Sequence, residues 1–232
     1  MEENLTFDRQ IAYRRAKNDY VDPHENTLRF AYEDGRFEKM AEELKYKDDI
    51  LKLKVLREIN EDVRDPTKIV RAINTSDLVH MLVFHLENKN DEIRRLASQS
   101  MKEICSVFRG REQILVNDYI KNLAKLVDDQ IPVIRLNIYT SLFNLSEHVD
   151  GTDGVLKNNI LEILVDKLLE EKEEDILLVI LQLMKRLLYG EGAIGRILKT
   201  QAITRLLILL EKTNELVRDF KDLCINNNVL LD

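Results

Sequence analysis

The sequence predicts an all-α fold: an armadillo/HEAT-like α-solenoid of about five repeats, preceded by an N-terminal extended arm. Three observations carry this. Only 7 Gly and 3 Pro punctuate 232 residues, so β-hairpins have little to turn on. From Phe37 onward, apolar residues recur at helical spacing almost without a break. The helices then return as short, medium and long members of a unit with a period near 42 residues. That order is the armadillo pattern, and two-helix HEAT repeats are its near neighbour.

Residues 1–35 stand apart as an extended arm, and 36–232 form the solenoid. The arm holds charges and the aromatics Phe7, Tyr13, Tyr20, Phe30 and Tyr32 without a sustained helical period, and Asp22-Pro23 breaks any helix there. It reads either as a disordered arm or as one that orders on a partner, with Arg14, Arg15 and Tyr20 as anchors.

Met40 and Leu44, then Ile50, Leu53, Leu56 and Ile59, mark two helices, with Asp48-Asp49 as the cap between them. Asp65-Pro66 closes that first unit, which lacks a short helix. A short helix over 67–74 and a medium one over 76–87 follow. Asn90-Asp91 opens a long helix carrying Ile93, Leu96, Ala97, Met101, Ile104, Cys105 and Phe108, and Gly110 is expected to stop it. The cycle repeats as 112–117 short, 118–128 medium and 131–148 long. In the last of these, Pro132 suits the first helical position, where its missing N–H costs nothing. Further cycles run through 151–157, 159–170 and 174–189, then 192–199, 202–211 and 215 onward. The final unit ends in Ile225-Asn226-Asn227-Asn228 and degrades, as terminal capping units do.

Anchor residues fix the register. Met101 to Leu142 is 41 residues and Leu142 to Met184 is 42, with Ile104, Leu145 and Leu187 keeping the same offsets. Ile93-Arg94, Ile134-Arg135 and Val217-Arg218 mark the starts of three long helices.

Charge and cysteine usage narrow the function. A formal charge of -7 lacks the basic footprint of a nucleic-acid binder and disfavours adsorption to an anionic membrane. Cys105 and Cys224 lie among apolar residues and read as buried free thiols. The acidic start Met1-Glu2-Glu3-Asn4 has no apolar core and does not read as a secretory signal. The apolar run over 176–188 is interrupted by Gln182, Lys185 and Arg186 and is too short to span a bilayer. A soluble, cytosolic-side protein is expected.

Catalytic and cofactor signatures fail on context. Gly190-Glu191-Gly192-Ala193-Ile194-Gly195 matches G-x-G-x-x-G but follows a helix rather than a strand, so it reads as an inter-repeat turn. His80 and His85 are five apart, which does not place them on one helix face, and His80 reads as a packed or edge histidine. No cysteine pair has zinc spacing and no serine sits in a nucleophile elbow. The acidic run 170–175 reads as a solvated loop, with Glu174 and Asp175 favourable at a helix N-terminus. No cofactor, metal or small-molecule substrate is expected.

A binding role calls for a different comparison. Armadillo grooves that grip extended peptides use an asparagine ladder on the long helices, with tryptophans nearby. Here the asparagine position is filled once, by Asn144, with Glu58, Glu103 and Arg186 as its equivalents, and the chain has no Trp. These four residues and the arm's Arg14, Arg15 and Tyr20 are the candidate partner contacts. Asn144 can equally tie its own helix to a neighbour.

The N-terminal half resembles the radial spoke head 14 homologue family, armadillo proteins of the axoneme of motile cilia and flagella. The likeness rests on Ala31-Tyr32, Gly35-Arg36, Lys39, Glu42, Glu43 and Leu44, then Asp65-Pro66 and Ala72-Ile73, and covers 27–108 best. Glu33 and Asp34 stand inside the family's contiguous A-Y-G-R. The resemblance implies a non-catalytic structural subunit that docks other radial spoke proteins and supports control of ciliary beating. It implies an axonemal location; the net charge, as above, leaves no nucleic-acid or membrane partner expected. The alternative from the residues is a soluble, cytoplasmic adaptor for a kinase, a phosphatase or a trafficking cargo.

Overall fold

The computed structural model describes residues 35–187, apart from Ser76 and the side chain of Leu169. Among the described residues there are eleven α-helices and no strand. They are α1 (Gly35–Glu43), α2 (Asp49–Asp62), α3 (Pro66–Asn74), α4 (Leu78–His85), α5 (Asp91–Ser106), α6 (Phe108–Val116), α7 (Ile120–Ala124), α8 (Pro132–Leu145), α9 (Val149–Lys157), α10 (Ile160–Glu170) and α11 (Glu174–Leu187). Three-helix units run as α3-α4-α5, α6-α7-α8 and α9-α10-α11, preceded by the pair α1-α2. Each unit ends in its longest helix, of 14 or 16 residues. Its first helix has nine residues, while the second has 8, 5 and 11 in turn, so the expected short, medium, long order of lengths holds only in the last unit. The fold is an armadillo-like α-solenoid. The arm residues 1–34, the G-x-G-x-x-G segment, Cys224 and the units expected after α11 lie outside the described residues.

Local chemistry starts these helices where the sequence places it. The Asp48 carboxylate accepts from the Ile50 amide at 2.8 Å at the head of α2, and Asp65 does the same for Thr67 at 2.8 Å, with Pro66 at the first helical position of α3. The Asn90 side chain accepts from the amides of Glu92 at 3.0 Å and Ile93 at 3.4 Å to open α5. Pro132 opens α8, as expected. Asp118 and Asn159 adopt left-handed φ values of 54° and 56° between the first and second helices of their units. These two residue types tolerate that region best after glycine.

Packing follows the repeat. The long helices stack in series, α5 against both α2 and α8, and α8 against both α5 and α11. Met101, Leu142 and Met184 are fully buried, as are Ile104, Leu145 and Leu187. Each anchor sits one unit from the next, so no unit closes its own core and stability approximates a sum of neighbour interfaces. Buried polar bonds fix the registry. Asn60 donates to the Leu56 and Leu96 carbonyls at 3.0 Å each, Ser100 donates to Asn60 Oδ1 at 3.2 Å, and Asn137 donates to Ser98 Oγ at 3.1 Å.

Four expectations are corrected. Gly110 does not stop a helix; it lies buried inside α6, which begins at Phe108. A Cβ there would stand 1.9 Å from the Ile104 carbonyl oxygen, and one at Gly151 the same 1.9 Å from Leu145 O. The glycines let α6 and α9 cross the last turn of the preceding long helix at van der Waals contact. The medium helix expected over 118–128 is helical only through Ile120–Ala124, with turns around it. Ile50 is 55% exposed, and α2 turns Leu51, Val55, Leu56 and Ile59 inward instead. Within the acidic run, Glu171 is not solvated: its side chain is 5% exposed and paired with Arg135.

Candidate partner-binding surface

Each long helix presents an exposed strip beside its buried one. The four helices start at Asp49, Asp91, Pro132 and Glu174. Counting from these starts, the thirteenth residues are Glu61, Glu103, Asn144 and Arg186. Glu61, rather than Glu58, is therefore the first equivalent of Asn144. Glu58 is the tenth residue of α2, in register with Ser100 and Ser141, and bonds Arg36 Nη2 at 3.1 Å. The offset arises because the unit between these helices is 42 residues, whereas Glu58 to Glu103 spans 45.

The strip is chemically uneven. In α2 and α5 it carries Arg57, Glu92, Arg95, Lys102 and Glu103. Arg95 grips Glu92 through two bonds of 2.7 Å, and Arg57 approaches the same carboxylate at 3.9 Å across the unit boundary. Arg95 bonds hold the Glu92 carboxyl below its ordinary range, against a smaller opposing effect of burial. Glu103 faces Lys102 at 3.1 Å, and Glu61 faces Arg64 at 3.3 Å.

Between α8 and α11 the strip carries an aromatic–cation stack. The Arg186 guanidinium lies 3.6 Å over the centroid of the Phe143 ring and donates to the Phe143 carbonyl at 2.8 Å. Its Nη2 stands 3.8 Å from Glu147, and Arg111 reaches the other oxygen of that carboxylate at 3.1 Å. Arg111 also donates to the carbonyls of Cys105 at 3.2 Å and Ser106 at 2.9 Å. Both arginines thus serve the carbonyl-rich C-terminal ends of long helices, where cations are favoured. Burial pulls the Arg186 pKa down, and Glu147 opposes that shift.

Of the nominated residues, Glu58, Glu103 and Arg186 are engaged in intramolecular pairs. Asn144 is half-buried on the strip, and its amide makes no hydrogen bond among the described residues. It is a polar group left open to a partner. Arg14, Arg15 and Tyr20 lie outside the described residues. The stack of Arg186 on Phe143 was not visible in the sequence, because the two lie 43 apart; the period near 42 was the one signal that places them side by side.

Other chemistry is sparse. Among the described residues no group of three or more His, Cys, Asp and Glu is arranged to hold a metal. Burial pushes the Cys105 thiol up to about 12, so it is an inert core group. His80 is exposed and pairs its Nδ1 with the Tyr119 hydroxyl at 3.0 Å. His85 is buried, with Nε2 2.9 Å from the Leu44 carbonyl. Among the described residues no helix is long and apolar enough to cross a membrane.

No model of a known protein family matches the chain. A probable inactive serine/threonine-protein kinase of Dictyostelium discoideum is 28% identical over 166 residues, which is 70% of this chain and 14% of that protein. The chain therefore spans about a seventh of the length of this relative. Among solved structures, a computationally designed armadillo repeat protein for modular peptide recognition superposes with a TM-score of 0.73 at 16% identity, covering 83% of this chain and 82% of that one. A second designed armadillo repeat protein, in complex with the peptide (KR)4, gives 0.71 at 16% identity, covering 83% and 81%. These likenesses support the armadillo-like fold.

Proposed function

We propose that the chain is a non-catalytic protein-interaction scaffold, serving as a structural subunit of the axonemal radial spoke. It docks other spoke proteins and so supports control of ciliary beating. The observation that carries the scaffold reading is the long-helix strip, a fixed surface already braced by Arg95–Glu92, Arg186–Phe143 and Arg111–Glu147. Such a surface meets a partner with little reorganisation, which favours permanent neighbours over a passing peptide.

The spoke assignment is supported by the resemblance over residues 27–108, whose motif residues have definite structural work. Arg36 donates to the buried Asp62 at 2.6 Å, Asp65-Pro66 starts α3, and Ala72 and Ile73 are buried. Purified axonemes lacking the chain test it: loss of spokes or an altered waveform is expected, and complete spokes with a normal waveform would refute the assignment.

The alternative is a soluble armadillo adaptor for a kinase, a phosphatase or a trafficking cargo. The similarity to a probable inactive serine/threonine-protein kinase favours it. Detergent extraction separates the two readings: a spoke subunit stays with the axoneme, and an adaptor leaves with the soluble fraction.

A further inference from the structure

The helix α4 is apolar at nearly every position, Leu78, Val79, Met81, Leu82, Val83 and Phe84. A helix of that kind expects cover on all sides. Yet Phe84 is 64% exposed, and Tyr46, at the end of the turn after α1, is 61% exposed. Between them lies an open trough of about 700 Å³ whose lining includes Leu44, Tyr46, Met81 and Phe84. A second concavity of about 620 Å³ shares Lys52, His80, Phe84 and Asn88 with the first and continues to Tyr119. The pair forms one surface along the side of the second helices, composed of residues distinct from the long-helix strip.

Its charges are unevenly matched. Asp49 is held by Lys52 at 2.9 Å, Asp77 by Lys45 at 3.1 Å, and Glu87 by Lys125 at 2.6 Å. Lys47 in the first concavity and Lys89 in the second are exposed and make no ion pair among the described residues. The unmatched charge on this surface is therefore positive, on a chain whose formal net charge is -7.

We infer that this trough docks a segment of another protein carrying a large apolar side chain flanked by carboxylates. The apolar group inserts between Tyr46 and Phe84 over Met81, and the carboxylates meet Lys47 and Lys89. Large aromatic anchors ringed by polar groups are the usual energetic centre of an interface. Unpaired lysines at the rim select an acidic segment over a basic one. The inference stands whether or not the chain belongs to a radial spoke.

A random-peptide display library panned on the intact chain tests it. Winners are expected to pair Phe, Leu or Trp with Asp or Glu. As synthetic peptides they should bind Phe84→Ser and Tyr46→Ser at least roughly tenfold more weakly. Lys47→Glu/Lys89→Glu should weaken them and favour versions with lysine in place of the acids, while Asn144→Ala leaves them unchanged. Tyr46 and Phe84 are mostly exposed, so the variants keep the core, which far-UV circular dichroism confirms. The inference is overturned if no peptide enriches, if winners are basic, or if they bind Phe84→Ser and Tyr46→Ser as well as the parent. A zero-length crosslink from Lys47 or Lys89 to a carboxylate of residues 1–34 in the monomer would also overturn it, by making the chain its own occupant.

Discussion

Removing the Arg135 guanidinium should destabilise the array at one defined interface. Arg135 is the fourth residue of α8. It binds Glu171 through Nε and Nη2 at 2.8 Å each, and its Nη1 donates to the carbonyls of Asp129 at 2.9 Å and Gln130 at 3.3 Å. The two side chains are 15% and 5% exposed. Arg135→Ala therefore strands a buried carboxylate, a change that costs about 3–5 kcal/mol where nothing else compensates. Here the amides of Lys172 at 3.0 Å and Glu173 at 3.3 Å still serve Glu171, which places the expected loss near the low end, about 3 kcal/mol. Urea denaturation measures it through the shift in midpoint at constant m. The double variant Arg135→Ala/Glu171→Ala should lose less than the sum of the two single changes, with a coupling of about 1.5–3 kcal/mol. Burial alone would raise the Glu171 pKa, but the Arg135 bonds and the two amides outweigh it and hold it below the usual 4.5. The unfolded state thus binds the proton more readily, so this contribution is full above that value and fades as pH falls through the lowered one. A loss below about 1 kcal/mol, or strict additivity in the double variant, would refute the claim that this pair clasps the units.

Three further perturbations test the same architecture. Leu142→Ala, at a fully buried anchor between α5 and α11, should cost about 2–5 kcal/mol by chemical denaturation, and a melt that barely moves would count against the register. Gly110→Ala sets a Cβ 1.9 Å from Ile104 O, a backbone atom that cannot swing aside, so α6 must lift from α5 at a cost of about 1–3 kcal/mol or more, read as a lowered Tm. Burial lowers the His85 pKa from 6.5, against the raising effect of its bond to Leu44. Stability should therefore be full above that value and fall as the ring is forced to protonate. His85→Gln, which can still donate to the Leu44 carbonyl, should flatten the slope between about pH 7 and pH 5, and an unchanged slope would remove His85 as its source.

The long-helix register was legible because it depends on composition at fixed spacing. Met101, Leu142 and Met184 are as buried as their offsets require, and Asp48, Asn90 and Asp65 cap through contacts only two or three residues away. Two of the failures depended on contacts between helices, which helical spacing does not show. Gly110 looked like a terminator because glycine is a poor helix former, but its reason is the carbonyl of Ile104 on the neighbouring helix. Glu171 looked solvated among five charged neighbours; Arg135, 36 residues earlier, buries it. The candidate contacts shared this limit. Arg186 carries chemistry a partner can read, yet whether it is free is decided by Phe143 and Glu147 on the neighbouring unit. The trough at Phe84 left one trace in the sequence, a short helix with too many apolar residues for one buried face.

The clasp also shows how the array sets its own spacing. Lys52, Arg94, Arg135 and Leu177 are the fourth residues of successive long helices. Arg94 repeats the Arg135 geometry, with Nε 2.8 Å from Asp129 and Nη1 3.0 Å from the Asn88 carbonyl. Lys52 reaches only the Lys47 carbonyl, at 3.4 Å, and Asp49, at 2.9 Å, both within its own unit. The arginine fork holds the next unit's carboxylate through Nε and Nη2 and keeps Nη1 for a carbonyl, whereas the Lys52 ammonium spends its donors on groups of its own unit. The arginine clasp from the fourth residue to the next unit is therefore present at α5 and α8, and among the described residues the fourth residue of α2 makes none. At α2, Arg36 takes over from the other end of the helix, joining α1 to Asp62 and Glu58. The clasps Arg94–Asp129 and Arg135–Glu171 therefore hold α8, which carries Phe143 and Asn144, on both of its unit boundaries, beside its apolar anchors Leu142 and Leu145. A partner docking there meets a surface whose side chains are already fixed, and Asn144 supplies the polar valence that such a partner can satisfy.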